Sequence, residues 1–87
     1  MTDEQKQATR ERIGVRIALL RKQMGLTQEE LAQRAGLQRT HVGRIEAGKY
    51  AVTLETIQAI AEALGMTVDI TDKALQDLAP LRRLTEK

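Results

Sequence analysis

Along the first quarter of the chain, apolar Ala8, Ile13, Ile17, Leu20 and Met24 recur at mostly three- and four-residue spacing, with Arg10, Arg12, Arg16, Arg21 and Lys22 between them. That spacing predicts an amphipathic helix, and Gly25 is its natural stop. Thr2 followed by Gln5 forms one capping box and Thr9 offers a later cap, so the ordered core of this helix is expected from about Thr9. Thr27-Gln28-Glu29-Glu30 is a stronger start signal, because a threonine cap with Glu three positions on satisfies two orphan backbone donors reciprocally. The helix it opens carries Leu31, Ala32 and Ala35 inward and ends at Gly36. A third helix follows after a very short turn, from Arg39 to Ala47, and closes on Gly48. Val42 and Ile45 form its apolar face, which leaves Arg39, Thr40, Gly43 and Arg44 on the other side. Tyr50, Ala51 and Val52 make a loop to a fourth helix, capped by Thr53, burying Leu54, Ile57, Ile60, Ala61 and Leu64 and ending at Gly65.

The helical period then breaks. Met66, Val68 and Ile70 alternate with Thr67, Asp69 and Thr71, a period of two rich in β-branched residues, which predicts a strand over 66–71. A lone strand leaves its backbone groups without a ladder, and no second candidate exists in the chain, so it is expected to pair with its copy in another subunit. Asp72 caps a short last helix with Leu75 and Leu78, broken around Pro80, and Leu81 and Leu84 lie in a basic tail. The fold class that results is all-α: five helices plus one C-terminal β-strand, with a domain over residues 9–65 and a dimerisation segment over 66–87 that uses Met66, Val68, Ile70, Leu75 and Leu78.

Composition changes this picture in three ways. With 87 residues and no cysteine, the chain holds one small domain whose stability comes from packing or from a partner subunit. No apolar run approaches the ~20 residues of a membrane span, and the polar N-terminus does not read as a signal peptide, so a cytoplasmic protein is expected. The net charge of +2 is unevenly spread: residues 1–49 carry ten Lys/Arg against six Asp/Glu, whereas residues 50–72 carry four acids and no base. The excess of base therefore sits in the half of the chain, residues 1–49, that contains the two short helices at 28–47, as phosphate binding requires.

The stretch Leu20-Arg21-Lys22 through Gly25-Leu26-Thr27-Gln28-Glu29-Glu30-Leu31-Ala32, then Gly36, Val42, Ile45-Glu46, Gly48-Lys49 and helix 54–65, resembles the phage-repressor (Xre-type) helix-turn-helix family over roughly residues 12–66. The resemblance implies a five-helix repressor-like domain whose motif, 28–47, reads double-stranded DNA. It puts Gln28 where the family's glutamine contacts a phosphate. It puts Gln38, Arg39, Thr40 and Arg44 on the main base-reading positions; Arg39 and Arg44 are suited to bidentate contacts with guanine, so G·C pairs are expected in the site. Lys49 falls where a backbone phosphate is met. Arg21 matches the family's arginine that pairs with the glutamate at position 46, an ion pair tying the first helix to the third.

Gly43 costs roughly 0.5–1 kcal/mol inside a helix, and close approach to a base pair or phosphate would explain it. His41, the one histidine, cannot build a usual metal site without cysteine, and is expected as a half-exposed residue touching phosphate. Tyr50 either bonds a phosphate or covers the adjoining helix junction. No serine or cysteine nucleophile, paired histidine or glycine-rich phosphate loop is present, which argues against an enzyme, and no metal or cofactor is implied. The expected assembly is a homodimer on an approximately palindromic operator, with two recognition helices in successive major grooves. An autonomous repressor, a restriction-modification controller and an antitoxin with a toxin partner are the candidate roles; a protein-interaction module on the same scaffold is the alternative from another class.

Overall fold

A computed structural model describes residues 1–66, which form four helices: α1 (Asp3–Gln23), α2 (Gln28–Ala35), α3 (Arg39–Glu46) and α4 (Leu54–Ala63). The fifth helix and the strand from residue 67 onward lie outside the described residues. Met66, expected to open that strand, has its N–H committed to the Ala61 carbonyl at 2.7 Å, so it closes α4 instead. Among the described residues no helix is long and apolar enough to cross a membrane.

Threonines start three of the helices. Thr27 and Glu30 form the complete reciprocal box, with bonds of 3.0 and 2.8 Å, and Thr53 accepts from the Thr56 N–H at 3.1 Å. Thr2 and Gln5 form a second complete box at 3.1 and 2.8 Å, which starts α1 at Asp3 rather than at about Thr9. The Thr9 hydroxyl instead donates back to the Gln5 carbonyl at 2.9 Å, a mid-helix bond that does not cap. The first helix therefore begins six residues before Thr9. Between α2 and α3, Gly36 adopts φ 72°, and the next N–H, that of Leu37, reaches back to the Ala32 carbonyl at 2.8 Å. A left-handed residue is needed for that turn, and glycine enters it without a Cβ penalty.

Leu31, Val42, Ile45 and Ile60 are fully buried, and Ile17, Leu26, Ala32 and Leu64 complete the cluster they form. The core thus lies where α2 and α3 meet between α1 and α4. Three expected core positions are solvent-exposed. Ala8 belongs to the first turns of α1, where residues 1–8 are all exposed; Met24 is the cap residue after α1; Leu54 sits in the exposed first turn of α4. Each is at an element end, where helical periodicity continues but the packing partner does not. Leu26, Leu37 and Val52 take up core space from the loops instead.

Candidate nucleic-acid interface

α3 divides its residues sharply. Val42 and Ile45 face inward at 0% and 1% exposure, while Arg39, Thr40 and Arg44 are exposed together with Gln38 at the N-cap. The Gln38 side chain makes no cap hydrogen bond to the start of α3. Gln38, Thr40, Arg44, His41 and Tyr50 line a shallow polar concavity of about 210 Å³. His41 is half-buried against Tyr50, ring centroids 4.5 Å apart in an edge-to-face arrangement, and its Nε2 is buried without a hydrogen-bond partner among the described residues. Lys49 is exposed, and its N–H caps the Arg44 carbonyl at 2.9 Å, which fixes the chain reversal after α3. The start of α2 adjoins α3 at Gly43, where Gln28 Oε1 lies 3.6 Å from the position a Cβ would take. Of the residues assigned to dimerisation, Met66 is exposed, and Val68, Ile70, Leu75 and Leu78 lie outside the described residues.

A buried ion pair sets the angle of α3. Arg21 Nε donates to Glu46 Oε2 at 2.7 Å and Nη2 to Oε1 at 3.1 Å, a bidentate geometry, while Nη1 donates to the Leu26 carbonyl at 2.7 Å. The hydrogen bond to Glu46 raises the Arg21 pKa above its ordinary value, against the opposing effect of burial. One residue thereby joins α1, the α1–α2 turn and the last turn of α3. Gln28 enters the same cluster, its Nε2 donating to Glu46 Oε1 at 2.9 Å. The sequence carries no signal for that bond, which spans eighteen positions between a polar pair of ordinary types.

Two glycines mark where α1 crosses the end of α3. A Cβ at Gly14 would run into the carbonyl oxygens of Ile45 and Glu46, the latter 2.5 Å away. Gly48, at φ 72°, would place one 2.8 Å from Glu11 Cγ, and Gln7 Nε2 donates to its carbonyl at 3.1 Å. Gly14 was legible in principle, as a glycine inside a long helical pattern that its own helix does not need. Gly43 differs: a Cβ there would sit 3.6 Å from Gln28 Oε1, in ordinary contact, so nothing among the described residues demands glycine.

Residues 17–70 match the helix-turn-helix family. The chain is 43% identical over 56 residues to the immunity repressor protein of Bacillus phage phi105, across 64% of this chain and 39% of the repressor. It is 49% identical over 45 residues to an uncharacterized HTH-type transcriptional regulator of Methanothermobacter thermautotrophicus, across 52% of this chain and 65% of that protein. It therefore spans less than two thirds of the length of either relative. Among solved structures, the restriction-modification controller protein C.AhdI from Aeromonas hydrophila superposes with a TM-score of 0.68 at 40% identity, covering 69% of this chain and 87% of that one.

Proposed function

The chain belongs to the helix-turn-helix family, and from that premise we propose that it binds double-stranded DNA sequence-specifically as a transcriptional regulator, probing the major groove with α3. The observation that carries this is the two-sided character of α3: Val42 and Ile45 anchor it while Arg39, Thr40 and Arg44 stand exposed on one face. Arg39 and Arg44 read guanine edges, and Gln38 and Thr40 make the adjoining base contacts, with Gly43 allowing close approach. Gln28 and Lys49 bond phosphates and so set register, and His41 and Tyr50 border the same backbone. A homodimer presents two such helices about 34 Å apart to an approximately palindromic site. The likeness to a restriction-modification controller and to a phage repressor supports a regulator of neighbouring genes, with repression as the first activity to measure.

Selection from a random duplex pool, followed by titration across a salt series, tests the reading. A two-half-site consensus containing G·C pairs is the expected result; equal affinity for all duplexes at low salt refutes it. Arg39→Ala and Arg44→Ala should each cost about 1–3 kcal/mol and relax preference at particular base pairs, whereas Lys49→Ala should weaken all duplexes alike with a shallower salt slope.

A further inference from the structure

The Arg21–Glu46 pair does more than brace two helices, because its carboxylate has a third donor. A carboxylate only accepts hydrogen bonds, so the group of Gln28 that faces Glu46 is the amide nitrogen. Glu46 Oε1 takes one hydrogen of that nitrogen at 2.9 Å and Arg21 Nη2 at 3.1 Å, while Oε2 is occupied by Arg21 Nε at 2.7 Å. The Gln28 amide oxygen lies over the bare backbone of Gly43, 3.6 Å from where a Cβ would stand. Both ends of the amide are therefore located, in a side chain with three rotatable bonds that is half-buried at the first position of α2. Among the described residues the other amide hydrogen has no acceptor.

We infer that Glu46 is a positioning residue for DNA-phosphate binding: by holding one hydrogen of the Gln28 amide, it presents the other to a phosphate. The inference rests on the DNA-binding reading above and adds to it the group that fixes the contact in advance. An ordinary surface glutamine loses rotamer freedom when it binds, at a cost that corresponds to roughly two- to tenfold in affinity. Here that freedom is already spent in the free protein. Arg21 has a further part in this, since it neutralises a carboxylate that would otherwise repel the approaching phosphate. Glu46 thus acts through Gln28 and touches no DNA itself.

Glu46 alone cannot be removed cleanly, because Arg21 would be left buried and unpaired. The full chain is therefore compared as R21M/E46Q and R21M/E46L, both without the ion pair; the first keeps an acceptor for Gln28 and the second has none. Binding is measured on a duplex selected from a random pool, unmodified and with single methylphosphonates that neutralise one phosphate at a time. R21M/E46L is expected to bind roughly two- to tenfold more weakly than R21M/E46Q, and adding Q28A to both should abolish the difference. One methylphosphonate should weaken the wild type and R21M/E46Q, weaken R21M/E46L less and leave Q28A least affected, a graded readout that a purely bracing role does not produce. The wild-type chain gives a second measurement independent of variant folding: the Gln28 side-chain amide protons should show one hydrogen-bonded, slowly exchanging resonance in the absence of DNA. Free rotamer averaging of Gln28 in that spectrum, or equal affinity of R21M/E46Q and R21M/E46L, overturns the inference while the wild type still binds. A wild type that binds no duplex at low salt overturns the DNA-binding reading itself and the inference with it.

Discussion

Replacing Gly14 by alanine sets helix propensity against packing. In an unobstructed helix interior the change stabilises by roughly 1 kcal/mol. In this protein the new Cβ would lie 2.5 Å from the Glu46 carbonyl oxygen and against that of Ile45. The first distance is about 0.8 Å inside the ~3.3 Å at which carbon–oxygen contacts normally begin. Both obstacles are backbone in α3, so no rotamer change relieves them, and α1 must lift away from the recognition helix. Overpacking costs about 1–3 kcal/mol, and because backbone obstacles cannot rotate away this case falls in the upper part of that range, about 2–3 kcal/mol, which leaves a net loss of about 1–2 kcal/mol after the propensity gain. Gly43→Ala is the internal control: its Cβ makes ordinary contact with Gln28 Oε1, so propensity wins and the free protein gains roughly 0.5–1 kcal/mol. Thermal and urea unfolding read both, with each kcal/mol moving Tm by about 4–8 °C in a domain of this size. Gly14→Ala melting at or above the wild type would refute the close crossing of α1 and α3. Gly43→Ala should then bind DNA more weakly despite its added stability; unchanged affinity would remove Gly43 from the interface.

Arg21→Met or Glu46→Leu alone should cost about 3–5 kcal/mol, because the partner left behind is 10% or less exposed, whereas the double substitution should cost far less; equal losses in urea unfolding would mean that the pair is not coupled. Glu30 is held below its ordinary value of 4.5, first by the hydrogen bond from the Thr27 N–H and then by its side chain. A depressed folded pKa gives stability that is present above the unfolded value and lost as pH falls through the lowered one, so Glu30→Gln should flatten part of the acid limb of a stability–pH profile. Sedimentation of the full chain should show a dimer and I70D a monomer; a dimer unaffected by I70D would place the subunit contact elsewhere.

Caps and turns were the most legible part of the fold, since each is decided by two or three neighbouring residues. Thr27 with Glu30, Thr53, Gly36 and Gly48 all act where the sequence puts them. The start of α1 went the other way because Thr2 and Thr9 offer similar local chemistry, and the choice falls to the box that Gln5 completes. The exposed face of α3 was likewise visible as the complement of Val42 and Ile45, and Arg21 with Glu46 was visible through family resemblance. Gln28 with Glu46 was not, because it depends on the angle between α2 and α3. Sequence spacing reports which face a residue occupies and is silent about which face it meets.

The position of Gly14 extends this point beyond the matched motif. The family match begins at residue 17, yet the elements that seat the end of α3 include Gln7, Glu11 and Gly14, all upstream of it. Gly14 lets the backbone of α1 approach Ile45 and Glu46, and Gly48 accepts Gln7 through its carbonyl while leaving room for Glu11. Glu46 is the residue that Arg21 and Gln28 share, so a shift of α1 at Gly14 moves the same turn of α3 that carries the carboxylate. The angle at which α3 is offered to a groove is consequently set from two sides. The ion pair fixes it electrostatically, and the glycine crossing fixes it by contact. A lesion in the upstream half of α1 should therefore weaken DNA binding without any substitution in the helix-turn-helix itself. Gly14→Ala measured for affinity as well as stability separates the two: binding lost beyond the fraction unfolded marks a change in the angle of α3, and binding that simply follows the folded population would show that the crossing serves stability alone.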